Sequence, residues 1–370
     1  MINVFEPYIF TKDKLEVLKN LNKKNISGTS LAVRQFEEEL SNFFERKYSS
    51  AVTNGSSALD IALKVLNLKE GDEVILPSFT IISCLSAVIR SGATPVFCDV
   101  DQNTWNMKLK NVQDVFTKKT KAILMVHTYG LTAEASEIKK FCNDNSLFLI
   151  EDAAEAHGQT YNGIKCGSFG DISTLSFYAN KHISSGEGGA VMTDSEELIN
   201  SVNKMRNLDF NNTKRFTHEN LYWNYRMGGL QAALAKSQMK SIYKVINYKK
   251  IQGKIYDNLF LNHDDLIKIP VQKTESSSNH YWVYGLVIKK DGVRDSLIKD
   301  LIEDGIETRP FFWPLHLQNL KEIQNYSFSN LLNSEMIGKN GLYIPTGAHI
   351  NEKKQTFIAD RLVSRLVNYR

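Results

Sequence analysis

Leu147-Phe148-Leu149-Ile150-Glu151-Asp152-Ala153-Ala154-Glu155-Ala156-His157-Gly158 is the stretch on which the fold turns. A short apolar run that ends in acids and then small residues reads as a buried strand leading into a turn. Working toward the amino terminus, a helix is expected over Ala133 to Asn145 and strands at Ala122 to His127 and Thr94 to Asp99. Before them come a helix at Ile81 to Arg90, a strand at Glu73 to Leu76, a helix at Ser56 to Leu66 and a first strand at Lys47 to Thr53. Within Ser56 to Leu66, Leu59, Ala62, Leu63 and Leu66 share one helical face. Toward the carboxyl terminus, Ile172 to Tyr178 and Gly189 to Thr193 read as two further strands joined by a glycine-rich turn. Strands alternating with helices require crossover connections, which gives an α/β fold with a mostly parallel seven-stranded sheet between helices.

A long helical stretch is expected from Leu230 to about Lys250, then a strand at Trp282 to Ile288, a helix at Arg294 to Glu303 and a terminal helix after Asn351. That remainder reads as a smaller α+β domain, so the division is 1–245 and 246–370, with the first residues expected to pack on the smaller part. The 370 residues suffice for two such units. The 45 basic and 41 acidic residues nearly balance, and the basic ones cluster only in pairs such as Lys118-Lys119, which argues against a nucleic-acid partner. Cys84, Cys98, Cys142 and Cys166 form no Cys-x-x-Cys pair, so neither a zinc site nor a disulfide framework is expected. No apolar run is long enough to span a membrane and Met1 to Phe10 lacks a signal-peptide pattern, so a cytoplasmic protein is expected.

In an open α/β sheet, ligands bind beyond the carboxyl ends of the strands. Three such ends carry suitable groups. Thr53-Asn54-Gly55-Ser56-Ser57 opens a helix, whose unpaired N–H groups attract a phosphate; ordinary helix capping is the rival reading. Asp152 follows a buried strand and is desolvated unless it meets a cation, and a protonated pyridine nitrogen would serve; a magnesium ligand or a cap are the rivals. Lys181, in Ser176-Phe177-Tyr178-Ala179-Asn180-Lys181-His182-Ile183-Ser184-Ser185-Gly186-Glu187-Gly188-Gly189, lies between a strand and a glycine turn, where desolvation favours a nucleophilic amine; a solvated loop lysine beside a simple hairpin turn is the rival. No Gly-x-Gly-x-x-Gly follows the first strand, which disfavours a dinucleotide-binding protein.

Taken together, the motifs Asn54 to Leu59, Glu151 to Gly158, Gly167-Ser168-Phe169-Gly170-Asp171-Ile172 and Ser176 to Gly189 closely resemble the DegT-type sugar aminotransferases of fold type I. Asn224-Tyr225-Arg226-Met227 followed by Leu230-Gln231-Ala232-Ala233 is similar to another motif of that family. Thr308-Arg309-Pro310-Phe311-Phe312-Trp313-Pro314-Leu315-His316 looks most like its GDP-perosamine synthase branch.

The resemblance implies pyridoxal 5'-phosphate as cofactor. Lys181 matches the lysine that bonds it as a Schiff base, Asp152 the acid facing the pyridine nitrogen, and Glu155 a neighbour of the ring hydroxyl. Gly55, Ser56 and Ser176 match phosphate contacts, and Asn224 a residue that reaches the phosphate of the other protomer in a homodimer. A related dehydratase branch has histidine at the bonding position; here the register from Ser176 puts Lys181 there, with His182 beside it. The implied reaction moves an amino group from L-glutamate to the ketone of a nucleotide-linked 4-keto-6-deoxy sugar for surface polysaccharide. A smaller phosphorylated ketone, or a non-catalytic cofactor-binding regulator, are the alternatives. His316, Arg309, Trp313 and Arg226 are the expected substrate contacts, with a packed small-domain segment the rival for 309–316 and dimer-interface pairing the rival for Arg226, and no metal is expected. One departure stands out: Pro77-Ser78-Phe79-Thr80 is followed by Ile81, where the family usually stacks an aromatic on the cofactor ring.

Overall fold

The computed structural model describes residues 1–210, 215–324, 326 and 330–369. Its main sheet has seven strands: β1 (Tyr48–Val52), β2 (Glu73–Pro77), β3 (Thr94–Cys98), β4 (Thr120–Val126), β5 (Phe148–Asp152), β6 (Ile172–Ser176) and β7 (Gly189–Thr193). They lie in the order β1-β7-β6-β5-β4-β2-β3. β7 runs antiparallel to both neighbours, and the other adjacent pairs are parallel. The expected strands are present, each within two residues of its expected bounds.

Residues on successive strand positions face opposite sides, and each side finds an apolar partner. Val52, Leu76, Leu124, Ile150 and Val191 pack under α3 (Gly55–Lys64) and α4 (Ile82–Ser91). On the other face, Ala51, Leu175, Ala190 and Met192 meet Val33, Phe36, Leu40 and Phe44. Those four come from α2 (Leu31–Phe44), one of two amino-terminal helices, with α1 (Thr11–Asn22), that the sequence reading did not place. Their spacing is amphipathic, and the two helices pack mainly on Gly229–Met239 rather than on each other.

A four-stranded antiparallel sheet follows, with strands Ile267–Lys268, Tyr284–Ile288, Gly341–Ile344 and Arg309–Pro310 in that spatial order. As expected, the first residues join this part: Phe5–Glu6 pairs with Thr346–Gly347, and Ile2 bridges Ile306. Two expectations change. The long helix from Leu230 is two helices, Gly229–Met239 and Ile242–Phe260, broken at Ser241 where φ −113 and ψ 3 leave helical space. No glycine or proline marks that break. Gln238 is held by Asp13 and the Tyr8 carbonyl, which orients the first helix independently of the second. The expected division at 245/246 falls inside Ile242–Phe260. The second change is at Trp282, which precedes the strand instead of starting it.

Candidate active site

The carboxyl ends of β1, β4, β5 and β6 open onto one cavity of about 480 Å³. Asn54 caps α3 with extended backbone, and its Oδ1 accepts from the Ser57 N–H at 2.9 Å. The N–H groups of Gly55 and Ser56 then start the helix without intrahelical acceptors and with the positive end of its dipole beside the cavity. Gly55 must be small, because a Cβ there would lie 2.8 Å from the Ser176 Cβ. Ser56 is exposed and shares a 2.7 Å hydrogen bond with Ser83, so hydroxyls line this end. Ser176, at the end of β6, completes it.

Asp152 closes β5 at the opposite side. Its Oδ1 accepts from the Ala154 N–H at 3.0 Å and the Thr174 hydroxyl at 3.4 Å, while Oδ2 faces the Cys84 thiol, a weak donor, at 3.6 Å. Burial raises its carboxyl above the ordinary value, against the N–H of Ala154 and the charge of Lys181, which lower it. A buried carboxylate so weakly satisfied calls for a cation. Lys181 reaches into the same space, with Nζ 3.3 Å from Glu155 Oε1. Glu155 Oε2 accepts from the Tyr129 N–H at 2.9 Å, and burial pushes its pKa up to about 7. An amine, a buried acid and a helix amino end around one cavity suit a flat ring with a cationic nitrogen, an aldehyde and a phosphate. The residues present fit pyridoxal phosphate.

The glycine-rich segment Gly167 to Gly170 has a structural task. Glu151, fully buried, accepts from the N–H groups of Gly167, Phe169 and Gly170, from Ser173 Oγ at 3.0 Å and from His127 Nε2 at 3.0 Å. His127 Nδ1 accepts from the Ala133 N–H at 3.2 Å, which assigns the proton to Nε2. Cys166 joins His127 and Glu151 in a buried trio of ligand-type groups, but the carboxylate's lone pairs are already committed to hydrogen-bond donors.

Gly55, Ser56, Asp152, Glu155, Ser176 and Lys181 thus share the cavity. The other five expected site residues lie outside its lining. Asn224 is exposed and bridges Asn207. Arg226 donates to Asn207 Oδ1 at 2.7 Å and lines a separate groove beside Gly28. Arg309 pairs with Glu307 at 2.6 Å at the sheet edge, and Trp313 is exposed with its indole N–H on the Leu317 carbonyl. His316 bonds Ser78 Oγ through Nδ1 at 2.6 Å and lies 3.5 Å from Glu335. It ties the loop to the end of β2, and the residue that loop gives to the cavity wall is Phe312.

The sequence reading missed Trp282, Tyr343 and His127 in the wall. Trp282 is the closest to the chemistry, with its ring centroid 3.9 Å from Lys181 Nζ. The available signal was an aromatic at the first position of an expected strand. Ile81 borders the cavity and is 40% exposed.

The model of the DegT/DnrJ/EryC1/StrS aminotransferase family matches residues 9–363. The chain is 33% identical to the GDP-perosamine synthase of Vibrio cholerae over 339 residues, covering 89% of this chain and 91% of that protein. It is 31% identical to the GDP-perosamine synthase of Caulobacter vibrioides over 367 residues, 99% of this chain and 97% of that one. An aminotransferase structure from Psychrobacter cryohalolentis superposes with a TM-score of 0.86 at 27% identity, covering 98% of both chains. With the match running almost end to end and the fold shared along the same length, the chain belongs to the DegT/DnrJ/EryC1/StrS aminotransferase family.

Proposed function

We propose that this aminotransferase moves an amino group from L-glutamate to the keto group of a nucleotide-linked 4-keto-6-deoxy sugar, in the synthesis of surface polysaccharide. The reading rests on one observation above all: the Lys181 amine, the Asp152 carboxylate and the amino end of α3 open onto a single cavity. The GDP-perosamine synthases among its relatives support the sugar class. Pyridoxal phosphate is the cofactor. When bound, it supplies an aldehyde that condenses with amines and a cationic ring that withdraws electrons from the bond being broken.

Lys181 would be the amine that bonds the cofactor, and its free amine would serve as the base and acid of the transfer. Asp152 would pair with the ring nitrogen and favour its protonated form. Glu155, with its pKa pushed up to about 7, stands beside Lys181 and would lie near the ring hydroxyl. Gly55, Ser56 and Ser176 would hold the phosphate with backbone N–H groups and hydroxyls. Phe312, Tyr343 and Trp282 give the sugar an aromatic wall.

We read the protein as a homodimer in which Asn224 of one protomer reaches the phosphate cradle of the other. Its exposure, and its position beside the fully exposed Leu221 on the same segment, support that reading. Arg226, three residues before the helix Gly229–Met239 and lining the groove beside Gly28, is assigned to that same surface.

The test is a panel of acceptors with glutamate as donor: GDP- and dTDP-linked 4-keto-6-deoxy sugars against small phosphorylated ketones, with products read by mass spectrometry. Amination of a nucleotide-linked sugar is expected. Amination of the small ketones alone would overturn the substrate reading, and no amination of any acceptor would overturn turnover itself.

A further inference from the structure

We propose that Trp282 is a positioning residue for the reaction, whose indole face holds the Lys181 amine beside Glu155 whenever that amine is not bonded to the cofactor. The inference rests on the reading of Lys181 as the cofactor-bearing lysine. Nζ lies 3.9 Å from the ring centroid and 3.3 Å from Glu155 Oε1, so ring and carboxylate bracket one cation. A cation over an indole face is attracted by the ring quadrupole, most strongly where water is excluded. The Lys181 side chain is 10% exposed.

The ring is fixed from several directions. The indole Nε1 donates to the Asn180 carbonyl at 2.9 Å, one residue from the lysine it covers. The Trp282 carbonyl accepts from Lys249 Nζ at 3.1 Å. The backbone approaches Gly130 so closely that a Cβ there would lie 2.6 Å from the Trp282 nitrogen. Tyr129, whose N–H holds Glu155, packs its ring 5.6 Å from that of Trp282.

The backbone is bent to place it. Tyr281 has φ +49, a left-handed conformation that costs a bulky residue energy and persists only where the surroundings impose it. Its hydroxyl donates to Asp257 Oδ2 at 2.7 Å and its N–H to Asn279 Oδ1 at 2.7 Å, which are the restraints that impose it. Extended backbone at 281 would continue the strand backward and carry Trp282 along the sheet. The bend delivers its ring to the amine instead.

The test uses the full chain freed of cofactor, acetylated with acetic anhydride and mapped by peptide mass spectrometry. In native protein the amine covered by the ring and hydrogen-bonded to Glu155 is expected to acetylate slowly. Trp282→Leu is expected to speed Lys181 acetylation by about three- to thirtyfold, and Trp282→Phe, which keeps a ring face, to stay within about threefold of native. Trp282→Met replaces the leucine variant if that one does not fold. Lys249, buried nearby, is the control and should stay unlabelled in every variant. Equal Lys181 rates in native, Phe and Leu (or Met) proteins would overturn the proposal, and so would Lys249 becoming reactive together with Lys181, which marks general loosening. In parallel, borohydride reduction of the holoprotein locates the cofactor. Its mass on another lysine would sink the assignment of Lys181 without altering the acetylation comparison.

Discussion

Replacing Lys249 with methionine should change how stability depends on pH, and by an amount the structure allows to be worked out. Lys249 is buried on Ile242–Phe260, with Nζ donating to the Trp282 carbonyl at 3.1 Å and to Thr346 Oγ1 at 2.9 Å. No carboxylate pairs with it among the described residues, and burial drags its pKa from 10.5 down to about 7. Below about pH 7 both native and unfolded chains carry the charge, and the native state bears its full burial cost. Between about 7 and 10.5 the native chain has lost a proton that the unfolded chain keeps, so stability rises with pH. The slope is about 1.4 kcal/mol per pH unit, and the whole rise about 5 kcal/mol.

Lys249→Met abolishes that rise but strands a carbonyl and a hydroxyl, at a cost of about 1 to 2 kcal/mol each. The variant is therefore expected to be more stable than native protein by about 1 to 3 kcal/mol near pH 6 and less stable by a similar margin near pH 10. Urea unfolding of both proteins, freed of cofactor, across that range gives the difference directly, and other titrating groups cancel in it. Two parallel curves would refute the reasoning, because they would mean that Lys249 titrates alike in the folded and unfolded chain.

Gly55→Ala places a Cβ 2.8 Å from that of Ser176, so the first turn of α3 must shift; cofactor affinity should fall at least about tenfold by fluorescence titration. An unchanged affinity would remove α3 from the phosphate cradle. Ile81→Tyr restores an aromatic at the cavity edge and should tighten the cofactor by about two- to tenfold, read in the same titration; weaker binding would place the ring elsewhere. Glu151→Gln turns an amide NH2 toward donors that need an acceptor, and should cost about 3 kcal/mol in urea unfolding. A loss under about 1 kcal/mol would show that the Gly167 to Gly170 turn does not hang on that carboxylate.

The amino acid order alone determined the main sheet, because a strand buried between helices must be short and apolar, and a helix on its face must repeat its apolar residues every three or four positions. Val52, Leu76, Leu124 and Ile150 satisfy the first condition, and Leu59, Ala62, Leu63 and Leu66 the second. It also marked Gly55, Asp152 and Lys181, at or just beyond strand ends where local chemistry announces itself, and the family resemblance added Glu155 and Ser176. Tertiary structure decided the rest, through contacts between residues far apart in the chain. The helix break at Ser241 follows from Gln238 meeting Asp13, more than two hundred residues away. Phe312, rather than His316, borders the cavity because His316 is spent on Ser78. Trp282 leaves its strand for Lys181 because Gly130, Asn180, Lys249 and Asp257 together hold a bend that no local preference of Tyr281 would choose.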